Sequence, residues 1–273
     1  MRYRKNTIGF RDTVTEDENE VLTAGEATVK EREPQVCVAK VMFRDANIPL
    51  DYYNDEFYLE PGDKVFVSGK FYGQIGVVQS VTTHFRIDRT KYRKVIGKPC
   101  LEISGNFVRV NDKMVSFDTN FDAERFGSVM IPPPDPEKET AEEIICGEGW
   151  NIDLMNFEES DSVDCSRLDG ALECCKGGNV VYISIKDGRG AAFIKGKHLY
   201  KAEFGFDGET VSDFFCTCPF NDDCLCKHEL AVLITLRMLL QFPELEEKTD
   251  FTAFDSDFFW KYVSSEVNGI ELK

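Results

Sequence analysis

The chain has 273 residues, 42% of them hydrophobic and 12% aromatic, which is enough to fill the cores of two domains and excludes a chain disordered throughout. Its 32 basic and 49 acidic residues leave a net charge of −17, which argues against tight non-specific DNA binding by the whole surface. Ten cysteines at scattered spacings fit a reducing compartment better than a disulfide framework. No signal peptide and no run of about eighteen apolar residues is visible, so a cytoplasmic protein without a membrane span is expected.

Residues 1–35 are polar and charged and lack apolar periodicity, which predicts a mobile arm. From Val36 the pattern changes. The runs 36–42, 57–59, 64–68, 76–81, 94–97 and 107–110 are short, β-branched or aromatic, and separated by Gly, Pro, Asn and Asp, as in a small closed sheet over residues 36–110. Within it, Pro61-Gly62-Asp63-Lys64-Val65-Phe66-Val67 leads through a polar turn with Gly69 and Gly73 to Gly76-Val77-Val78. This segment resembles KOW or SH3-like barrels, and the resemblance implies a barrel of the kind used by ribosomal proteins and other RNA-bound assemblies.

The same region is the only cationic part of the chain, with eleven basic against eight acidic residues over 36–110. Arg86, Arg89, Lys91, Arg93, Lys94 and Lys98 fall within thirteen residues, interleaved with Phe85 and Tyr92. Cations next to rings are the composition that contacts phosphates and bases, so these six are the candidate nucleic-acid-binding residues. The competing reading is an ordinary solvated face.

Residues 111–150 read as an acidic, proline-rich linker, because Ile131-Pro-Pro-Pro-Asp-Pro cannot continue a helix interior or a central strand. Thr140 and Glu143 form a weak capping box for a short helix through Ile145. Cys174 and Cys175, with no histidine near them in sequence, read as ordinary thiols.

In residues 151–242, Asp187-Gly188 and Asp207-Gly208 each separate β-rich runs and supply the positive φ angles of tight hairpins. The second hairpin leads into Cys216-Thr217-Cys218-Pro219, followed by Cys226-Lys227-His228. Three thiols and one imidazole within thirteen residues can close a tetrahedral shell around one zinc ion, with Cys216, Cys218, Cys226 and His228 as ligands. Cys224 forms a Cys-x-Cys pair of its own with Cys226 and reads as a spare thiol or one beside the site. After His228 the chain is apolar around most of a helix from Leu230 to Phe242, stopped by Pro243, which predicts a buried helix. The order Cys-x-Cys-Pro, short loop, Cys-Lys-His, apolar helix resembles the SWIM zinc finger over roughly residues 178–242. That resemblance implies strands before the ligands and a nucleic-acid-binding or protein-binding module rather than a catalyst.

In residues 243–273, Phe251, Phe254, Phe258, Phe259, Tyr262 and Val263 recur at three- and four-residue spacing and predict an amphipathic helix with an aromatic face. The fold class expected is therefore α+β, a small N-terminal barrel followed by zinc-stapled hairpins with a helix. No Walker-type loop or nucleophile arrangement is present, and His84 and His198 stand alone in β-rich sequence, so an enzyme with a small-molecule substrate is not expected. Two functions fit. One is a non-enzymatic adaptor holding one structural zinc and contacting nucleic acid or a nucleoprotein complex. The other is an acidic protein-binding regulator or inhibitor of a nucleic-acid-binding enzyme, a nucleic-acid mimic of the phage or mobile-element type.

Overall fold

A computed structural model describes residues 32–85, 91–103, 105–118, 121–133, 150–220, 223–242, 245, 250–264 and 271–272. The expected N-terminal arm lies outside these apart from its last residues, and the expected helix through Ile145 lies outside them entirely. Among the described residues the molecule is mixed α and β, with mainly antiparallel strands in two principal sheets and four α-helices.

The first sheet is built from β1 (Cys37–Met42), β2 (Leu50–Asn54), β3 (Lys64–Val67), β4 (Gly76–Thr82) and β5 (Val95–Gly97), in the order β2-β1-β4-β3-β5. Its two ends meet, because Tyr53 of β2 bridges Lys94 beside β5 and Tyr53 N donates to Arg93 O at 2.9 Å. Alternation aims Cys37, Ala39 and Val41 inward, where they pack with Val65, Val67, Val78 and Val95. Gly62 enters the turn before β3 at φ 98°, where a side chain would be strained. Gly76 is required for a different reason: a Cβ there would lie 2.3 Å from Val41 Cγ1, so a larger residue would push β1 and β4 apart. The run 57–59 is not a strand. That place is taken by Leu50–Asn54, whose Tyr52 and Tyr53 are buried.

The larger sheet has nine strands: β7 (Val108–Val110), β8 (Lys113–Ser116), β9 (Asn151–Asp153), β10 (Val180–Lys186), β11 (Arg189–Lys195), β12 (Leu199–Phe206), β13 (Thr210–Cys216), β14 (Phe251–Asp255) and β16 (Glu271–Leu272). Their order is β16-β7-β8-β14-β10-β11-β12-β13-β9. A separate parallel pair joins β6 (Leu101–Glu102) to β15 (Val263–Ser264). The hairpin joining β10 to β11 turns on Asp187 and Gly188, both at positive φ, as their sequence requires.

Three sequence expectations are corrected here. Residues 108–110, expected in the first sheet, belong to the larger one. Within the expected linker, β8 and helix α1 (Ala123–Met130) are core elements. The C-terminal aromatics do not form one amphipathic helix: Phe251 and Phe254 lie on β14, inside the sheet between β8 and β10, and only Phe258, Phe259 and Tyr262 lie on the short helix α4 (Ser256–Tyr262).

Each face of the larger sheet has its own core. On one, Ile183, Ile185, Ala192, Ile194 and Ala202 pack with α3 (Lys227–Leu240) and α2 (Cys165–Lys176). Leu230, Ala231, Val232, Leu233 and Leu236 of α3 are fully buried, as its all-round apolar pattern predicts. Cys174 joins this core, and Cys175 Sγ lies 3.4 Å from Ala231 O, so both serve helix packing. On the other face, Tyr182, Phe193 and Phe254 are covered by α1 and α4. Phe126 of α1 stacks on Tyr182 with ring centroids 4.6 Å apart and on Phe193 at 4.5 Å. Helix α1 starts because the Asp122 side chain accepts from Arg125 N at 2.7 Å. Asp122→Ala is expected to cost about 1 kcal/mol, the usual cost of losing such a cap, measurable by urea unfolding.

Candidate metal centre

Two elements deliver the four sequence-predicted ligands to one point. Cys216 is the last residue of β13 and pairs with Ala202 of β12. Thr217 N then donates to Lys201 O, and Lys201 N donates to Thr217 Oγ1, both at 2.9 Å, so the chain leaves the hairpin along a fixed path to Cys218. The other two come from the start of α3. Cys226 is its N-cap, with Sγ accepting from Glu229 N at 3.4 Å while the Glu229 carboxylate accepts from Cys226 N at 2.7 Å. This is a capping box in which a cysteine stands in the usual serine or threonine position. It fixes His228 in the first turn. Leu225 N donates to Ser162 O at 2.8 Å and ties the approach to the segment before α2.

The donor atoms of Cys216, Cys218, Cys226 and His228 all lie within 4.8 Å of one another, and all four residues are buried. Cys224 is half-buried and stands outside the group. The Tyr200 ring stacks on His228 with centroids 4.5 Å apart, and the Arg167 guanidinium sits 3.8 Å from the Phe220 ring centre, closing the site's rim onto α2. Neither was identified from the sequence. Tyr200 carries no local signal for its role, whereas the Cys226-x-x-Glu229 spacing did contain one.

Electrostatics and unmet polar atoms point to a cation. Hydrogen bonds from Cys216 and then Cys226 hold the Cys218 thiol far below the usual thiol range. Its donors are pushed up in return, Cys216 chiefly by its bond to Cys218 and Cys226 chiefly by its bond to Cys216. Three thiols this close hydrogen-bond to one another, and a metal ion would displace the protons they share. His228 Nδ1 is buried without a hydrogen-bond partner, which is costly unless something else takes its lone pair. Burial pushes Glu229 up to about 7. The group can hold one metal ion, and a donor set of three sulfurs and one nitrogen is compatible with zinc. Among the described residues it is the one such cluster.

The candidate nucleic-acid residues are distributed differently. Arg86 and Arg89 lie outside the described residues. Lys94 is ion-paired with Asp55 at 2.9 Å and with Glu56, and Lys98 with Asp63 at 2.8 Å. The Arg93 stem lies over Gly69, where a Cβ would come within 3.0 Å of Arg93 Nε. Lys91 is exposed. Two of the cations therefore spend part of their charge on acids of their own sheet. His84 contacts Thr83 and His198 contacts the Tyr200 ring edge-on; neither joins the metal cluster.

Among the described residues, no helix is long and apolar enough to cross a membrane. Comparison of the chain with protein-family models, curated proteins and solved structures gives no significant match.

Proposed function

We propose that the chain is a non-enzymatic binding protein whose C-terminal half is stapled by one structural zinc ion at Cys216, Cys218, Cys226 and His228. The observation that carries this reading is the completeness of the donor set. Four buried protein donors are enough to complete a tetrahedral shell, whereas catalytic zinc ordinarily keeps one position for water. Antiparallel strands before the cluster and a buried helix after it support the SWIM-like reading of residues 178–242. The meeting of the first sheet's ends supports the SH3 or KOW-like reading of the N-terminal sheet. Together they suggest an adaptor that contacts a nucleoprotein complex.

A second reading, an acidic regulator that binds a basic protein, is favoured by a specific observation. Lys94 and Lys98, two of the six candidate cations, are engaged by Asp55, Glu56 and Asp63, which lowers the positive potential available to phosphates. Fluorescence anisotropy with single- and double-stranded DNA and RNA at low salt separates the two. A nucleic-acid adaptor binds at least one of them and weakens with rising salt. It also loses affinity in the Lys91→Ala/Arg93→Ala variant, and its log–log salt slope becomes shallower by roughly one unit per phosphate contact removed. Absence of binding to all of them overturns that version and leaves the protein-binding one.

A further inference from the structure

The face of the larger sheet that carries α1 is only half covered, and pairing registers show why. One cross-strand row, Met114, Phe254, Tyr182 and Phe193, is aromatic or large and lies under Phe126. The adjacent row on the same face runs across six strands as Ser116, Thr252, Ser184, Ala191, Glu203 and Phe215. Among the described residues, small side chains at its first four positions do not fill the space beside α1, an eight-residue helix that reaches only about 12 Å. The result is an open groove of about 1360 Å³, floored by this row and walled by the start of α1 and by the loops at the strand ends.

Its rim is acidic. Asp118, Asp122, Glu124, Asp187, Asp213 and Asp250 line it, and none of them forms an ion pair among the described residues. Only Lys186 and Arg189 oppose them there. Phe215 offers a half-buried ring at one end. Such a surface repels phosphate backbones and a second copy of a chain of net charge −17. The acids are spread along the rim rather than converging on a point, which suits a string of cations and not one metal ion.

We propose that this groove binds an extended, arginine-rich segment of a partner protein. Ser116 and Thr252 are buried at one end, so the accessible floor runs over the three interstrand spacings from Ser184 to Phe215, about 14 Å or the length of about four extended residues. Alternate side chains of such a segment would meet the small floor residues, leaving the arginines between them to reach the rim carboxylates, which a guanidinium binds with two parallel hydrogen bonds. This rests on the reading of the chain as a binding protein, and on neither the metal nor the cationic stretch.

The test is fluorescence anisotropy with a fluorescein-labelled peptide of alternating arginine and alanine, about ten residues long so as to overhang the floor. A glutamate–alanine peptide serves as control. The full chain is expected to bind the first and not the second. The triple variant Asp187→Asn/Asp213→Asn/Asp250→Asn should weaken binding about tenfold, as the sum of three modest charge pairs. The remote variant Glu159→Gln/Asp161→Asn/Asp169→Asn, with the same charge change, should leave it within about twofold, since exposed charges so far away are screened. Ala191→Phe fills the floor at constant charge and should also weaken binding about tenfold, because the segment can no longer seat. Ser184→Leu makes the same test if Ala191→Phe fails to fold, as judged by near-ultraviolet circular dichroism. Equal losses from the groove and remote triples, wild-type affinity in a folded floor variant, or no binding of the arginine peptide overturns the proposal. Absence of zinc in protein that still binds the peptide would remove the metal reading and leave this one standing.

Discussion

Cys226→Ser is expected to purify without zinc and with its C-terminal unit unfolded, whereas Cys224→Ser retains about one equivalent of metal and an ordinary melting curve. The difference follows from position. Cys226 contributes a ligand atom to the buried cluster and also caps α3, while Cys224 stands outside it. Structural zinc contributes roughly 10 kcal/mol or more of apparent binding free energy at neutral pH, comparable to the whole stability of a domain, so the fold does not survive its loss. A strong chelator should therefore remove metal and near-ultraviolet circular dichroism together. Acidification should act in the same direction, because protons compete with metal for the thiolates and for His228. Equal behaviour of the two serine variants, by elemental analysis and thermal melting, would contradict the assignment of ligands.

The second large effect is expected at Phe126. Phe126→Ala should destabilise the protein by about 3–5 kcal/mol, the usual range for deleting a buried phenyl group, and lower the melting temperature by roughly 10 °C. Phe126 is fully buried, and its ring lies 4.6 Å from that of Tyr182, 4.5 Å from that of Phe193 and 5.7 Å from that of Phe258. Removing it opens a cavity over the aromatic row that neighbouring helix α4 cannot close without moving. A helix in a flexible linker would tolerate the same change within about 0.5 kcal/mol. Urea unfolding that finds so small a difference would return residues 123–130 to the linker.

What the sequence revealed and what it concealed have physical reasons. The ligand spacing was legible because metal sites in hairpins and helix starts are local, and Cys216, Cys218, Cys226 and His228 carry their geometry in their spacing. Helix α3 was legible because thirteen apolar-rich residues in a row leave little choice of environment, and Asp187-Gly188 because few residues accept positive φ. Strand β14 was hidden by coincidence. Phe251, Phe254 and Phe258 are spaced like one face of a helix, yet Phe251 and Ala253 point to the α3 side and Phe254 to the α1 side of a sheet buried on both faces. Helix α1 was masked by its charges and by Gly127, which lies where a Cβ would come within 3.4 Å of the Phe193 ring. Helix α2 has only Ala171 and Cys174 buried, too few to set up a visible period. The groove could not be read at all, since Ser116, Ala191 and Phe215 fall in one row only through the registers of six strands.

X-ray absorption at the zinc edge of the purified chain tests the metal centre most sharply. One tightly bound zinc with three sulfur neighbours at about 2.3 Å and one imidazole nitrogen at about 2.0 Å is expected. An oxygen ligand in the shell, a different sulfur count, or protein that folds with no metal would contradict it.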